Sequence, residues 1–253
     1  MEEPSPNVVA RVGAIVRAVA GFEPEGATTT ELSRATGIAR PTVHRLLVAL
    51  VDEGMIDRTA DSGRWLLGPE MYLLGVASAR RYEVSDVARR VVSQLAAETG
   101  ESAFLSIRRG DETVCLLRED GSFPLRSHVL HEGLRLPLGV ASAGLVILAH
   151  LDDRDVDAFL DRTDLTTEWG DSHAREAVRA RVDETRTLGY AVNPGLLVEG
   201  SWGLGAAVFG ARGEPRWALS LTGVSSRFTP ERVPAMGQLL LTAAHALTKQ
   251  SRT

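Results

Sequence analysis

The sequence predicts an α+β chain built as a winged helix-turn-helix over residues 1–68, a linker helix over 69–83 and an antiparallel-sheet domain over 84–253. Three observations predict it. Two helical stripes flank a glycine turn between Leu32 and Leu50. Two short extended runs follow at once, on either side of Asp61-Ser62-Gly63. Beyond residue 84, helical stripes bracket alternating runs joined by glycine turns, as helices packed on an antiparallel sheet require.

The first helix is marked by Val8, Val9, Val12, Ile15, Val16 and Val19 at three- and four-residue spacing, and Gly21 and Pro24 end it. In Thr30–Ile38 a threonine opens a short helix with Leu32 and Ala35 on its inner side. Gly37 supplies the positive φ of a tight turn. Pro41 suits the first turn of the next helix, because its missing N–H is no loss there. That helix turns Val43, Leu46, Leu47 and Leu50 to the core. Short helix, glycine turn and longer helix make the layout whose second helix enters a major groove. The runs Met55–Arg58 and Arg64–Gly68 then form a hairpin, the wing.

Residues able to bond phosphates or base edges sit on the outer side of this unit: Ser33, Arg34, Arg40, Thr42, His44 and Arg45, with Arg58 and Arg64 on the wing. They are the expected DNA contacts. Between Thr28 and Gly68 five arginines face five acids, and the whole chain carries −5, so charge alone does not reveal a DNA-binding face. A helix bundle that contacts another protein is the plainer reading. The residue types at the exposed positions of the second helix favour DNA.

Hydrophobic residues make up 44% of the 253, enough for real cores in two domains. No apolar run approaches the ~18 residues of a membrane span, and no membrane partner is expected. The start, Met1-Glu2-Glu3-Pro4, lacks the basic-then-apolar layout of a signal peptide, and a lone cysteine, Cys115, permits no internal disulfide. A cytoplasmic location is the expectation.

In the second part, Pro69 to Arg81 reads as a linker helix with Met71, Leu73, Leu74 and Val76 apolar, and Tyr82-Glu83-Val84 as the joint. Val84, Val87, Ala88, Val91, Val92, Leu95 and Ala96 form a helical stripe. Ala103, Leu105 and Ile107 alternate with Phe104, Ser106 and Arg108 before Gly110-Asp111 turns the chain into Val114–Leu117. Ala174–Leu188 is charged and helical, and Leu204–Phe209 and Trp217–Leu221 are buried strands. Thr229-Pro230-Glu231 starts a last helix with Leu239, Leu240, Ala243 and Leu247 inside.

The stretch Thr30–Leu47, with Gly54 and Arg64-Trp65-Leu66-Leu67-Gly68 after it, resembles the IclR family of bacterial regulators. Leu136-Pro137-Leu138, Gly144 and Ile147-Leu148-Ala149 continue the likeness. So do Leu188-Gly189-Tyr190-Ala191, Ala206–Phe209 and Ala218–Gly223, in order, across about residues 8 to 250. The resemblance implies a GAF-like C-terminal domain with a curved antiparallel sheet, a small-molecule pocket, and a homodimer or a homotetramer made as a dimer of dimers. It points to Ala141, Ser142, Asn193, Gly203, Ser220 and Thr222 as effector contacts. The chain departs from the family in having Gly139, Ala141 and Leu145 where His, Thr and Lys are common. It has no acid after the Gly-Tyr-Ala motif until Glu199, and Gly203 in place of a cysteine. These departures imply a roomier, more apolar pocket than one built for a small keto acid, and a weakly charged or aromatic ligand.

Other chemistry finds little support. His128, His131 and Glu132 offer metal ligands on one turn, but lie in a loop without a third protein ligand, so no metal is expected. Cys115 sits in an apolar strand, a core position. Ser142 lacks the first glycine of a nucleophile elbow, and Gly203-Leu204-Gly205 lacks the third glycine of a dinucleotide loop, so no cofactor is expected. Trp169, Trp202 and Trp217 are core or interface residues, with one of them lining a pocket as the alternative. The function expected is a DNA-binding regulator controlled by a small effector, and not an enzyme. The alternatives are a regulator whose second domain only oligomerises, or an enzyme acting on the bound ligand.

Overall fold

The computed structural model describes residues 7–79, 86–125 and 129–250. The chain divides into two compact units, Met1–Glu83 and Val84–Thr253. The expected joint at Tyr82–Val84 and the last two residues of the linker helix, Arg80 and Arg81, lie outside the described residues.

In the first unit, α1 (Val8–Ala20), α2 (Thr29–Thr36) and α3 (Arg40–Asp52) precede a hairpin of β1 (Ile56–Arg58) and β2 (Trp65–Leu67), and α4 (Pro69–Ala79) follows. Ile15, Val19, Leu32, Val43, Leu47, Ile56 and Trp65 form one buried core. Removing a leucine such as Leu47 from water contributes roughly 1.5–3 kcal/mol. α2 is capped by Thr28, two residues before the expected Thr30. The Thr28 hydroxyl accepts from the Glu31 amide at 3.2 Å, and the Glu31 carboxylate accepts from the Thr28 amide at 2.7 Å. Ala35, expected inside, is exposed, because Leu32 alone of α2 is buried in the core. Gly37 takes φ 67° between α2 and α3, the left-handed turn that a side chain would strain.

The second unit is a six-stranded antiparallel sheet with helices on both faces. The strands are β3 (Ser102–Arg109), β4 (Glu112–Glu119), β5 (Arg135–Pro137), β6 (Ala191–Pro194), β7 (Ser201–Phe209) and β8 (Pro215–Val224). Their order is β5-β4-β3-β8-β7-β6. One face carries Ala103, Leu105, Leu204, Ala206, Leu219 and Leu221, packed against α5 (Asp86–Thr99) and α10 (Arg232–Gln250). The inner side of α10 is Met236, Gly237, Leu240, Ala244 and Leu247. Leu239, expected inside, is exposed, one residue off the stripe.

The other face carries Phe104, Ala191, Ala207 and Ala218 under α6 (Ser142–Ala149), every residue of which is buried. Glycine explains how close α6 lies to β7. A Cβ at Gly205 would fall 2.6 Å from the Ser142 carbonyl oxygen, so a side chain there would lift the helix off the sheet. Outside α6 lie α7 (Asp153–Arg162), α8 (Thr166–Trp169) and α9 (Arg175–Leu188). α7 and β6 are elements that the sequence pattern did not announce.

Candidate DNA interface and effector recess

On the first unit, Arg34, Arg40, His44 and Arg45 are exposed and Thr42 is half-buried. The backbone of those on α3 is held by Val43, Leu47 and Leu50 on the helix's opposite side, and that of Arg34 on α2 by Leu32. Arg34, Arg40 and Arg45 have no ion-pair partner among the described residues. Ser33 has a structural use, since its hydroxyl donates to the Ile38 carbonyl at 2.7 Å and closes the turn. Trp65 joins the wing to α3: Arg58 stacks 4.9 Å above its ring and His44 meets it edge-on at 5.9 Å.

Arg64 departs from the expectation of a residue spread over phosphates. Its guanidinium donates to the Gly26 carbonyl at 3.0 Å and to Glu31 at 3.1 Å, tying the wing to the cap of α2. The Thr28 donors first, and Arg64 after them, hold the Glu31 carboxyl below its usual range.

On the second unit, a recess opens beside the start of α6. Ala141, Ser142, Asn193, Gly203 and Thr222 line it, and Val129, Leu130, Leu197 and Trp202 complete its apolar wall. The whole space is about 280 Å³ and runs out to solvent. Its interior is about 20 Å³, room for a single water, so the recess is narrower than the roomy pocket expected. Of the three tryptophans, Trp202 is the one in the wall.

Two of the expected polar contacts are already engaged. The Asn193 amide donates to the Val140 carbonyl at 2.7 Å while its oxygen accepts from the Leu196 amide at 3.1 Å. The Ser142 hydroxyl donates to the Leu204 carbonyl at 3.2 Å. Ser220 is fully buried and does not line the recess; its oxygen and that of Thr222 are buried with no hydrogen-bond partner among the described residues. Behind the wall, His173 is buried between the Trp169 and Val140 carbonyls, at 3.0 and 3.5 Å from its ring nitrogens. Burial first, then the Arg181 charge, depresses its pKa.

Burial pushes the Cys115 thiol up to about 12, so it carries almost no thiolate at neutral pH. His131 is exposed, Glu132 accepts from the Arg118 amide at 3.3 Å, and His128 lies outside the described residues. Among the described residues no three His, Cys, Asp or Glu side chains gather to hold a metal, and no helix is long and apolar enough to cross a membrane.

Residues 8–60 match the IclR helix-turn-helix domain and residues 76–249 the C-terminal domain of bacterial IclR transcriptional regulators. The HTH-type regulator KipR of Bacillus subtilis is 26% identical over 224 residues, covering 88% of this chain and 89% of that protein. The crystal structure of an IclR regulator from Alicyclobacillus acidocaldarius superposes with a TM-score of 0.80 at 24% identity, over 98% of this chain and 100% of that one. An IclR homolog from Microbacterium hydrocarbonoxydans, solved with 4-hydroxybenzoate, gives 0.78 at 21% identity, over 97% and 99%. With both family domains matched in order and a fold of the same kind, the chain belongs to the IclR family and is a DNA-binding transcription regulator.

Proposed function

We propose that the chain binds an inverted-repeat DNA site as a homodimer, or as a dimer of dimers, and that a weakly charged or aromatic metabolite in the α6 recess controls that binding. The recess carries the reading, because it joins an apolar wall to the buried Thr222 hydroxyl, which has no partner among the described residues, and has no lysine or arginine among its described lining residues. That composition suits a ligand held by neutral donors better than a small dianion held by ion pairs. The 4-hydroxybenzoate bound by the Microbacterium homolog is a ligand of that aromatic kind.

On the first unit, Arg34, Arg40, Thr42, His44 and Arg45 are the proposed contacts to bases and phosphates, with Arg58 on the wing. Arg64 acts through the wing it fixes. Dimerisation follows from the apolar surface of α1 and α4, where Val8, Val9, Leu73, Leu74 and Val76 are exposed and Tyr72 is 74% exposed. A symmetric pair doubles the readout and sets half-sites about one helical turn, ~34 Å, apart or a multiple of it. The activity is placed in the bacterial cytoplasm, where the DNA is.

The test is selection of bound sequences from random DNA, followed by titration of aromatic and carboxylic metabolites into the complex. An inverted repeat, and at least one metabolite that shifts DNA affinity, is the expected result. Enrichment of a single half-site by a monomer overturns the dimer, and DNA affinity indifferent to every metabolite overturns control through the recess.

A further inference from the structure

We propose that Ser102 is a ligand-facing residue, forming with Ser220 and Thr222 a subsite for an uncharged head group that both donates and accepts hydrogen bonds. Alcohols, phenols and primary amides are the chemical class. The inference rests on the recess being the effector site.

The register of the sheet brings the three hydroxyls together. Ser102 on β3 lies directly across from Thr222 on β8, and such partners stand roughly 5 Å apart at Cβ. Ser220 is two residues along β8 and therefore on the same side. That side is the α6 face, since Ala103, Leu219 and Leu221 between them point into the α5–α10 core. All three residues are buried, and none of the three oxygens has a hydrogen-bond partner among the described residues. One orphaned buried hydroxyl is a local accident. Three on adjacent strands, the outermost of them lining a recess, mark a place where a polar group is missing.

The neighbours leave space there. Gly203 on β7 lies across from Thr222, so no β7 side chain covers that hydroxyl. Phe104, across from Ser220, supplies a flat apolar end. Ser102 is fixed from behind: Glu101, on the opposite face and 1% exposed in its side chain, accepts from Arg227 at 2.5 Å and Arg232 at 3.1 Å. The Glu101 charge is thus paired on the far side of the sheet.

Hydroxyl chemistry selects the head group. Each serine or threonine oxygen both gives and accepts a hydrogen bond. An alcohol or amide uses both capacities. A carboxylate only accepts, and burying its charge with no cation among the described lining residues is unfavourable.

The test uses the full chain, with benzyl alcohol, benzamide and benzoate as probes at millimolar concentration, read by calorimetric titration and thermal unfolding. Benzyl alcohol and benzamide bind the wild type more tightly than benzoate. Ser102→Ala weakens both about three- to tenfold, the loss of one hydrogen bond. Its ligand-free unfolding midpoint stays equal or rises, because an orphaned hydroxyl is gone. Gly203→Leu, or Thr222→Leu should the former not fold, fills the recess and abolishes binding. Tighter binding of benzoate overturns the subsite. So does unchanged affinity for the neutral probes in Ser102→Ala while the filled recess binds nothing. Binding that survives the filled recess, or no binding by any probe, overturns the recess as the ligand site itself.

Discussion

The arginines of α2 and α3 and those of α9 are the same residue put to opposite uses. Arg34, Arg40 and Arg45 stand exposed with no acid beside them among the described residues. On α9, Arg179 bonds Asp153 and Asp157, at 2.8 and 3.4 Å, and Arg186 bonds Asp153 at 2.7 Å. Arg175 joins the same row through Asp157 and Asp161. α7 brings the aspartates that neutralise α9, whereas among the described residues no acid pairs with Arg40 or Arg45 of α3. A guanidinium left unpaired at the surface keeps its charge available to an anionic polymer; a paired one holds two helices together. The lesson is that counting arginines says little about DNA binding, and their partners say much.

Three substitutions test this contrast. Arg45→Ala weakens specific DNA binding by about 1–3 kcal/mol while thermal unfolding is unchanged; unchanged affinity for the selected site breaks the contrast at its strong end. Arg64→Ala, which removes the bonds to Gly26 and Glu31, lowers the stability of the first unit by about 1 kcal/mol in urea unfolding and costs less DNA affinity than Arg45→Ala. A DNA loss equal to that of Arg45→Ala returns Arg64 to the phosphate contacts. Arg179→Ala changes stability by no more than about 1 kcal/mol, less at high salt, and leaves DNA affinity alone. Weaker DNA binding in that variant means that the acids of α7 do not silence α9.

Local signals were legible in the sequence. Period and caps place α1, α3 and the wing within a few residues, because Val43, Leu47, Gly37 and Pro41 act through neighbours along the chain. What depended on distant partners was not legible. Arg64 reads as a surface cation until Gly26 and Glu31 are seen beside it, and the bond from the Asn193 amide to Val140 joins residues that no local pattern links. Ser102, a small polar residue at the start of a strand, carries no local signal of a site. Its meaning comes from Thr222, set opposite by a register that no local pattern encodes. Ala35 and Leu239 were misplaced for a simpler reason: an apolar residue at the margin of a helical stripe does not tell which way the helix is rolled.

The two glycines of β7 differ in what stands above them. At Gly205 the obstacle is the Ser142 carbonyl, part of the main chain, so substitution displaces a whole helix. At Gly203 the nearest atom is the Ser142 hydroxyl at 3.1 Å, a side-chain group that can turn aside at the expense of its bond to the Leu204 carbonyl. On the proposed reading, position 203 can take a small side chain that reshapes the recess, whereas position 205 cannot, and a biosensor retuned from this scaffold would be diversified at 203 and never at its neighbour two residues on.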